Sequence, residues 1–191
     1  HTYGQFIHHY AVLAERHGVE IFSVGSEFAS LESDRPRWSH LIQGVRKVYK
    51  GHLIYSANWD HYKEVTFWDL VDLAGVTGYY RLTESYDASL GELTKAWKGI
   101  RETLMAFQSS IGRPLLFTEL GYPSLDGGAR SPWDYTTGKP LDLEEQKRCF
   151  QAFVQAWSDA SGLAGVFFWN WWGPGRGTDT WYTLKGKPAE A

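Results

Sequence analysis

Two glutamates carry the chemistry that this 191-residue chain has to offer. Glu27 follows the apolar residues 19–24 by way of Gly25 and Ser26, and Glu119 closes the run Leu115-Leu116-Phe117-Thr118. Each stands at the carboxyl end of a short apolar segment of the kind that forms a buried parallel strand, and in parallel α/β folds those ends gather the catalytic groups. A pair of carboxyl groups about 5 to 5.5 Å apart can cleave a glycoside with retention, one attacking as nucleophile and the other serving as acid and then base. The two roles need different surroundings: the acid must stay protonated near neutral pH, and the nucleophile must stay ionised. A single strand-end Glu can equally hold a loop or an arginine. Two of them on separate strands, both among aromatic residues, favour catalysis.

The other strand ends add the groups that grip a sugar. They carry Asn58 and Trp59, then Tyr79 and Tyr80, then Trp169, Asn170, Trp171 and Trp172. Sugars present apolar C–H faces and hydroxyl edges, so flat rings and amide or phenol groups suit them. Trp169 and Trp171, read as sharing one strand face, are assigned to the ligand, whereas Tyr80 and Trp172 are assigned to packing. Ten Trp, eleven Tyr and ten Phe exceed what a small core needs, which points the same way.

These residues require a scaffold of alternating helices and strands. Residues 3–17 carry apolar side chains at helical spacing up to Gly18, and residues 19–24 form the first strand. Ser33 or Asp34 with Pro36 starts a second helix that Gly51 ends, and residues 53–57 make the next strand. A weak helix over 65–70 leads to a third strand at 73–78. A long helix follows from Leu90 to Gly112, and residues 115–118 make the fourth strand. Residues 121–141 are a long polar loop of the sort that serves function. Asp142 with Glu145 reads as a capping box for a helix bearing Cys149, and residues 166–169 make a fifth strand.

Five buried strands joined by helices imply right-handed crossovers and a parallel sheet. The sheet is either open and doubly wound or part of an eight-stranded barrel. Length favours the open form, since a barrel typically needs about 250 residues. The chemistry gathered at the strand ends favours the barrel.

The chain is 43% hydrophobic and 21% charged with a formal net charge of -3, and it reads as one soluble domain over residues 1–191. Without a basic run or a basic amphipathic face, nucleic acid and membrane are excluded as partners. No segment approaches the roughly 20 apolar residues of a membrane span, and residues 1–9 lack the pattern of a signal peptide, which leaves secreted and cytoplasmic locations both open. The single cysteine rules out a disulfide framework, and the seven His show no metal-ligand spacing, so no metal or cofactor is expected. Cys149 reads as a buried structural thiol, His61 at most lines the cleft, and Gly173-Pro174-Gly175-Arg176-Gly177 reads as a flexible lip of it.

The segments Phe22-Ser-Val-Gly-Ser-Glu27, Tyr55-Ser-Ala-Asn-Trp-Asp60, Gly78-Tyr-Tyr-Arg-Leu82, Phe117-Thr-Glu-Leu-Gly-Tyr122, Phe168-Trp-Asn-Trp-Trp172 and Gly186-Lys-Pro-Ala189 together resemble glycoside hydrolase family 113 over nearly the whole chain. That resemblance implies a (β/α)8 TIM barrel of the retaining clan that contains β-1,4-mannanases, with only strands four to eight present here. It implies that Glu27 is the acid/base and Glu119 the nucleophile, that Tyr79 hydrogen-bonds the nucleophile, and that Trp169 or Trp171 floors the subsite of the cleaved sugar. Much of the clan places Asn before the acid/base; Ser26 stands there and offers a hydroxyl in place of an amide. The expected activity is that of a retaining endo-β-mannanase on a mannan-type polysaccharide or oligosaccharide. Its alternatives are hydrolysis of another β-glycan or short β-mannoside, and an inactive carbohydrate-binding fragment. Five open strands expose unpaired edges and the inward sheet face, so an N-terminal barrel segment is expected to complete the fold.

Overall fold

The computed structural model describes residues 2–136, 138–173 and 177–191. Helices and strands alternate: α1 (Thr2–Arg16), β1 (Ile21–Ser26), α2 (Arg35–Arg46), β2 (His52–Ala57), β3 (Leu73–Thr77), α3 (Leu90–Ile111), β4 (Leu115–Leu120), α4 (Leu143–Trp157) and β5 (Leu163–Phe168). They fall into two compact units. The first runs to Thr77 and includes Gln108–Leu116; the second holds Gly78–Phe107 and everything from Phe117 onward.

In the first unit β1, β2 and β3 are parallel neighbours, with Phe22 opposite Leu53 and Ile54 opposite Leu73. The register of β1 shifts between Ser23 and Ser26, so the strand kinks just before Glu27. On the far side of β3 the amide of Ala74 donates to Pro114 O at 3.0 Å, which starts β4 in the next place. β2 is buried from Leu53 to Ala57 and β3 throughout, as expected of parallel strands covered on both faces. Ile54, Leu73 and Leu116 form an apolar cluster with Ile21 against it. A second cluster lies toward α2: Trp38 stacks on Phe67 at 4.6 Å, and Tyr55 meets both rings edge-on at 5.0 Å. Of the two candidate caps, Asp34 starts α2, its Oδ1 accepting the Arg37 amide at 3.2 Å with Pro36 in the first turn. The apolar residues 65–70 do not make an α-helix. They shorten to a 3₁₀ turn, Trp68–Leu70, whose Trp68 indole donates to Tyr62 O at 2.9 Å.

The second unit is centred on Trp97 of α3, fully buried and edge-on to Phe117, Phe153 and Trp157. Its indole N–H donates to Tyr122 Oη at 2.9 Å, so the core's largest ring leaves no polar atom unpaired. Cys149 of α4 is buried, which fits a structural thiol. β4 continues two residues beyond the expected end, so Glu119 lies within the strand. β5 departs further from expectation. It starts three residues earlier, at Leu163, stops at Phe168, and is not covered on both faces: Phe167 is 60% exposed. Among the described residues no helix is long and apolar enough to cross a membrane.

Candidate functional site

The residues picked out from sequence fall into two groups, each fixed within its own unit. In the first unit Ser26 ends β1 and Glu27 follows it, both exposed. Glu27 holds a left-handed backbone, φ 56°, and among the described residues it is the only non-glycine to do so. That conformation costs an L-residue about 1 to 2 kcal/mol, so neighbouring contacts must hold it. The Glu27 amide donates to Ser56 O of β2 at 2.8 Å. The sequence also removes an obstacle: a Cβ on Gly25 would lie 2.7 Å from Trp38 Cη2 and 3.1 Å from the Tyr55 ring, so only glycine lets β1 pass over them. Beyond β2, Thr77 orders the next pair. Its Oγ1 accepts the Trp59 amide at 3.1 Å and donates to Asn58 Oδ1 at 3.4 Å. His61 Nδ1 stands 3.9 Å from Glu32 Oε2.

In the second unit Tyr79 and Glu119 are brought together. Tyr79 Oη donates to Glu119 Oε2 at 2.7 Å. The Gly78 amide donates to Glu119 O at 2.6 Å, so the residue before Tyr79 is tied to the backbone of its side-chain partner. Tyr182 stands edge-on to Tyr79 at 6.0 Å and donates to Pro132 O at 2.7 Å. Trp169 follows β5 and donates its amide to Leu120 O at 2.8 Å. Gly121 makes room for that crossing, since a Cβ there would stand 2.2 Å from Trp169 O.

Trp169 and Trp171 lie beyond the end of β5 and do not share a strand face. Both are exposed, and so is Trp172, which at 70% is the most exposed large hydrophobic residue among the described residues. Its backbone is held by Thr183, whose hydroxyl donates to Trp172 O at 3.0 Å. Tyr80 does pack, edge-on to Trp97 at 5.7 Å. Of the glycine-rich lip, residues 174–176 lie outside the described residues.

Three buried charged side chains shape these loops, and of them only Glu145 has a role legible in the sequence, as the partner of Asp142 in a capping box. Glu145 caps nothing with its carboxylate. Its amide takes Asp142 Oδ1 at 2.8 Å, but its oxygens turn to the amides of Gly127 at 2.8 Å and Ala129 at 2.9 Å, pinning the long loop to α4. Burial pushes its carboxyl up, opposed by those two amides. Lys187 is buried between Asp179 at 2.7 Å, Ser124 Oγ at 2.9 Å and Trp181 O at 2.8 Å, and burial lowers its pKa against the pull of Asp179. Glu32 is wholly inaccessible and accepts from Tyr55 Oη at 2.8 Å; burial raises its pKa, with Tyr55 and His61 pulling it down. Periodicity marks only apolar positions, so a buried acid or lysine sends no signal; the nearest one is Lys187 inside the quoted Gly186-to-Ala189 segment. Among the described residues no group of three or more His, Cys, Asp or Glu is placed to hold a metal ion.

A model of Glycoside Hydrolase Family 113 matches residues 1–180. The chain belongs to that family. Among solved structures, a family 113 β-mannanase from Alicyclobacillus acidocaldarius in complex with ManMIm is 32% identical, with a TM-score of 0.87 over 98% of this chain and 58% of its own. A complex of a family 113 β-1,4-mannanase is 27% identical, again with a TM-score of 0.87, over 98% of this chain and 59% of its own. The family member described here thus spans under three fifths of the length of these mannanases. A β-glucuronidase from Faecalibacterium prausnitzii, 16% identical with a TM-score of 0.70 over 96% of this chain and 31% of its own, shares the fold. No curated protein matches the chain.

Proposed function

We propose that this family 113 chain supplies the catalytic glutamates of a retaining β-mannanase-like glycoside hydrolase. In this reading Glu119 attacks the anomeric carbon while Glu27 protonates the departing glycosidic oxygen; Glu27 then draws a proton from water, which attacks and frees the sugar from Glu119. Asn58 and Ser26 contact hydroxyls, Trp59 and Trp169 or Trp171 offer rings to the sugar faces, and Tyr79 orients the nucleophile. The single observation that carries the reading is the 2.7 Å bond from Tyr79 to Glu119 at the end of β4. Identities of 27 to 32% to family 113 mannanases make a mannan-type glycan the favoured substrate. The five strands take the places of the fourth to eighth in an eight-stranded barrel, the remainder coming from a further segment. The likeness over 98% of this chain to 58% of a solved mannanase supports that reading.

The test is Glu119→Ala and Glu27→Ala in the full gene product, assayed for reducing ends from mannan, with the anomer of the first product followed by NMR. Loss of turnover by several orders of magnitude in Glu119→Ala with its melting intact, and a β-product from the parent, is expected. Near-full activity in Glu119→Ala, or an inverted product, ends the assignment. The exposed rings of Trp169, Trp171 and Trp172 support a second reading, sugar binding without turnover. It predicts retention in affinity electrophoresis on mannan with no reducing ends released.

A further inference from the structure

Glu27 keeps a backbone conformation that its side chain disfavours, and what holds it reaches back into the core of the first unit. Its own amide is taken by Ser56 O, and the next amide, Phe28 N–H, donates to Tyr55 Oη at 3.0 Å. Tyr55 is fully buried on β2, wedged among Trp38, Phe67 and Trp68. Its hydroxyl has one proton, and that proton is committed to Glu32 Oε1 at 2.8 Å. The phenol oxygen is therefore turned so that its acceptor side faces Phe28. Hydrogen bonds in such a chain polarise one another, and a phenol donating to a carboxylate is a better acceptor for the amide. Glu32 is itself held in place through its backbone: Glu32 O accepts from the Thr66 amide at 3.2 Å and Thr66 Oγ1 at 3.1 Å.

Burying a carboxylate with a single tyrosine donor at one oxygen does not recommend itself for stability, since well-packed apolar residues do as well or better. Glu32 Oε2 makes no hydrogen bond, and His61 stands 3.9 Å away. A carboxylate retained under those terms needs another reason, and its connection supplies one. We propose that Glu32 and Tyr55 are positioning residues for Glu27: the buried carboxylate orients the phenol, the phenol holds the Phe28 amide, and the loop is thereby fixed with Glu27 at its left-handed turn. The inference rests on reading Glu27 as the acid/base. Neither residue touches substrate.

The consequence is specific to proton donation. A glycoside with a poor leaving group depends on the acid for its first step, whereas an aryl glycoside with a dinitrophenolate leaving group departs without one. In the full gene product, kcat/KM for Tyr55→Phe should fall at least about tenfold on a mannooligosaccharide, as misplacement of a catalytic group does, and stay within twofold on the dinitrophenyl β-mannobioside. Glu32→Leu should show the same leaving-group dependence, and Glu32→Gln, which keeps an acceptor for Tyr55, should recover most of the lost rate. Glu27→Ala is the reference. If it shows no leaving-group dependence, the acid/base reading itself fails; if it does and folded Tyr55→Phe slows both substrates equally or neither, only the present inference fails. Should Tyr55→Phe not fold, Glu32→Leu decides by the same pattern, and if neither folds the pair is structural and the inference falls.

Discussion

Replacing Tyr79 by phenylalanine removes one oxygen from the site and leaves the ring. The lost bond, Tyr79 Oη to Glu119 Oε2 at 2.7 Å, is short and directed at a carboxylate. Hydrogen bonds to charged groups contribute about 1.5 to 3 kcal/mol, and 1.4 kcal/mol corresponds to about a tenfold change. If Glu119 is the nucleophile, a carboxylate released from the phenol must regain its attack angle in each turnover, so kcat/KM should fall by about tenfold to 150-fold. The backbone should hardly notice. Gly78 keeps its amide bond to Glu119 O, and the ring keeps its edge-on contact with Tyr182 at 6.0 Å. The assay is initial rates on a soluble mannooligosaccharide with thermal melting run in parallel. A Tyr79→Phe enzyme within twofold of the parent refutes the orienting role, and a loss matched by a melting temperature several degrees lower would assign the effect to folding instead.

Other perturbations test the scaffold. Gly25→Ala places a methyl 2.7 Å from the buried Trp38 ring and should lower stability by about 1 to 3 kcal/mol, read in urea unfolding. Glu145→Ala strips the acceptor from the amides of Gly127 and Ala129, about 1 to 3 kcal/mol in all; limited proteolysis should then cut within residues 121–141 sooner than in the parent. Asp72 opposes the cost of its partial burial with bonds from the Arg46 guanidinium and, at 2.7 Å, the Leu53 amide, and the net effect lowers its pKa. Its contribution to stability is therefore present above the ordinary carboxylate range and lost as pH falls through the lowered value. Asp72→Asn should be less stable than the parent at pH 7 and should differ from it less in strong acid, a trend that melting temperatures across pH 2 to 7 would show or contradict.

The strands were legible because burial on both faces leaves a nearly unbroken apolar run, and residues 53–57 and 73–77 show it with no polar interruption beyond Ser56 and Thr77. Where the burial is missing, the same run misleads. Residues 163–168 carry the composition of a core strand, yet Phe167 and Phe168 remain exposed, because composition records what a strand would bury and not whether anything covers it. The 65–70 segment fails for a local reason: four apolar or aromatic residues fit a helix, but the Leu70 amide closes a tight turn on Phe67 O and the Trp68 indole reaches back to Tyr62 O. Glu27, Glu119, Asn58 and Tyr79 were visible from their types and their places after strands. Glu32 and Lys187 were not, since each looks in sequence like any solvated charge, and Glu145 read as a capping-box partner although its oxygens serve the amides of Gly127 and Ala129.

Those three buried charges tie down loops after the strands that have no regular structure of their own. Each buried charge bonds groups outside the regular backbone ladders: Glu145 two amides of the long loop, Lys187 a serine, an aspartate and a carbonyl, and Glu32 the tyrosine that in turn serves the Phe28 amide. An exposed loop could leave such amides to water, at the expense of a fixed backbone. A loop that must present a side chain at one angle cannot, and a buried charge with several partners holds it more firmly than a neutral group would, because removing any partner leaves an uncompensated ion. The same reasoning separates the rings. Trp97 and Tyr55 are buried with their polar atoms paired, whereas Trp169, Trp171 and Trp172 are carried on backbone that is anchored to Leu120 and Thr183 while their rings stay exposed. Fixed backbone with exposed rings is what a surface for stacking sugars requires, and it is the arrangement on which the proposed activity depends.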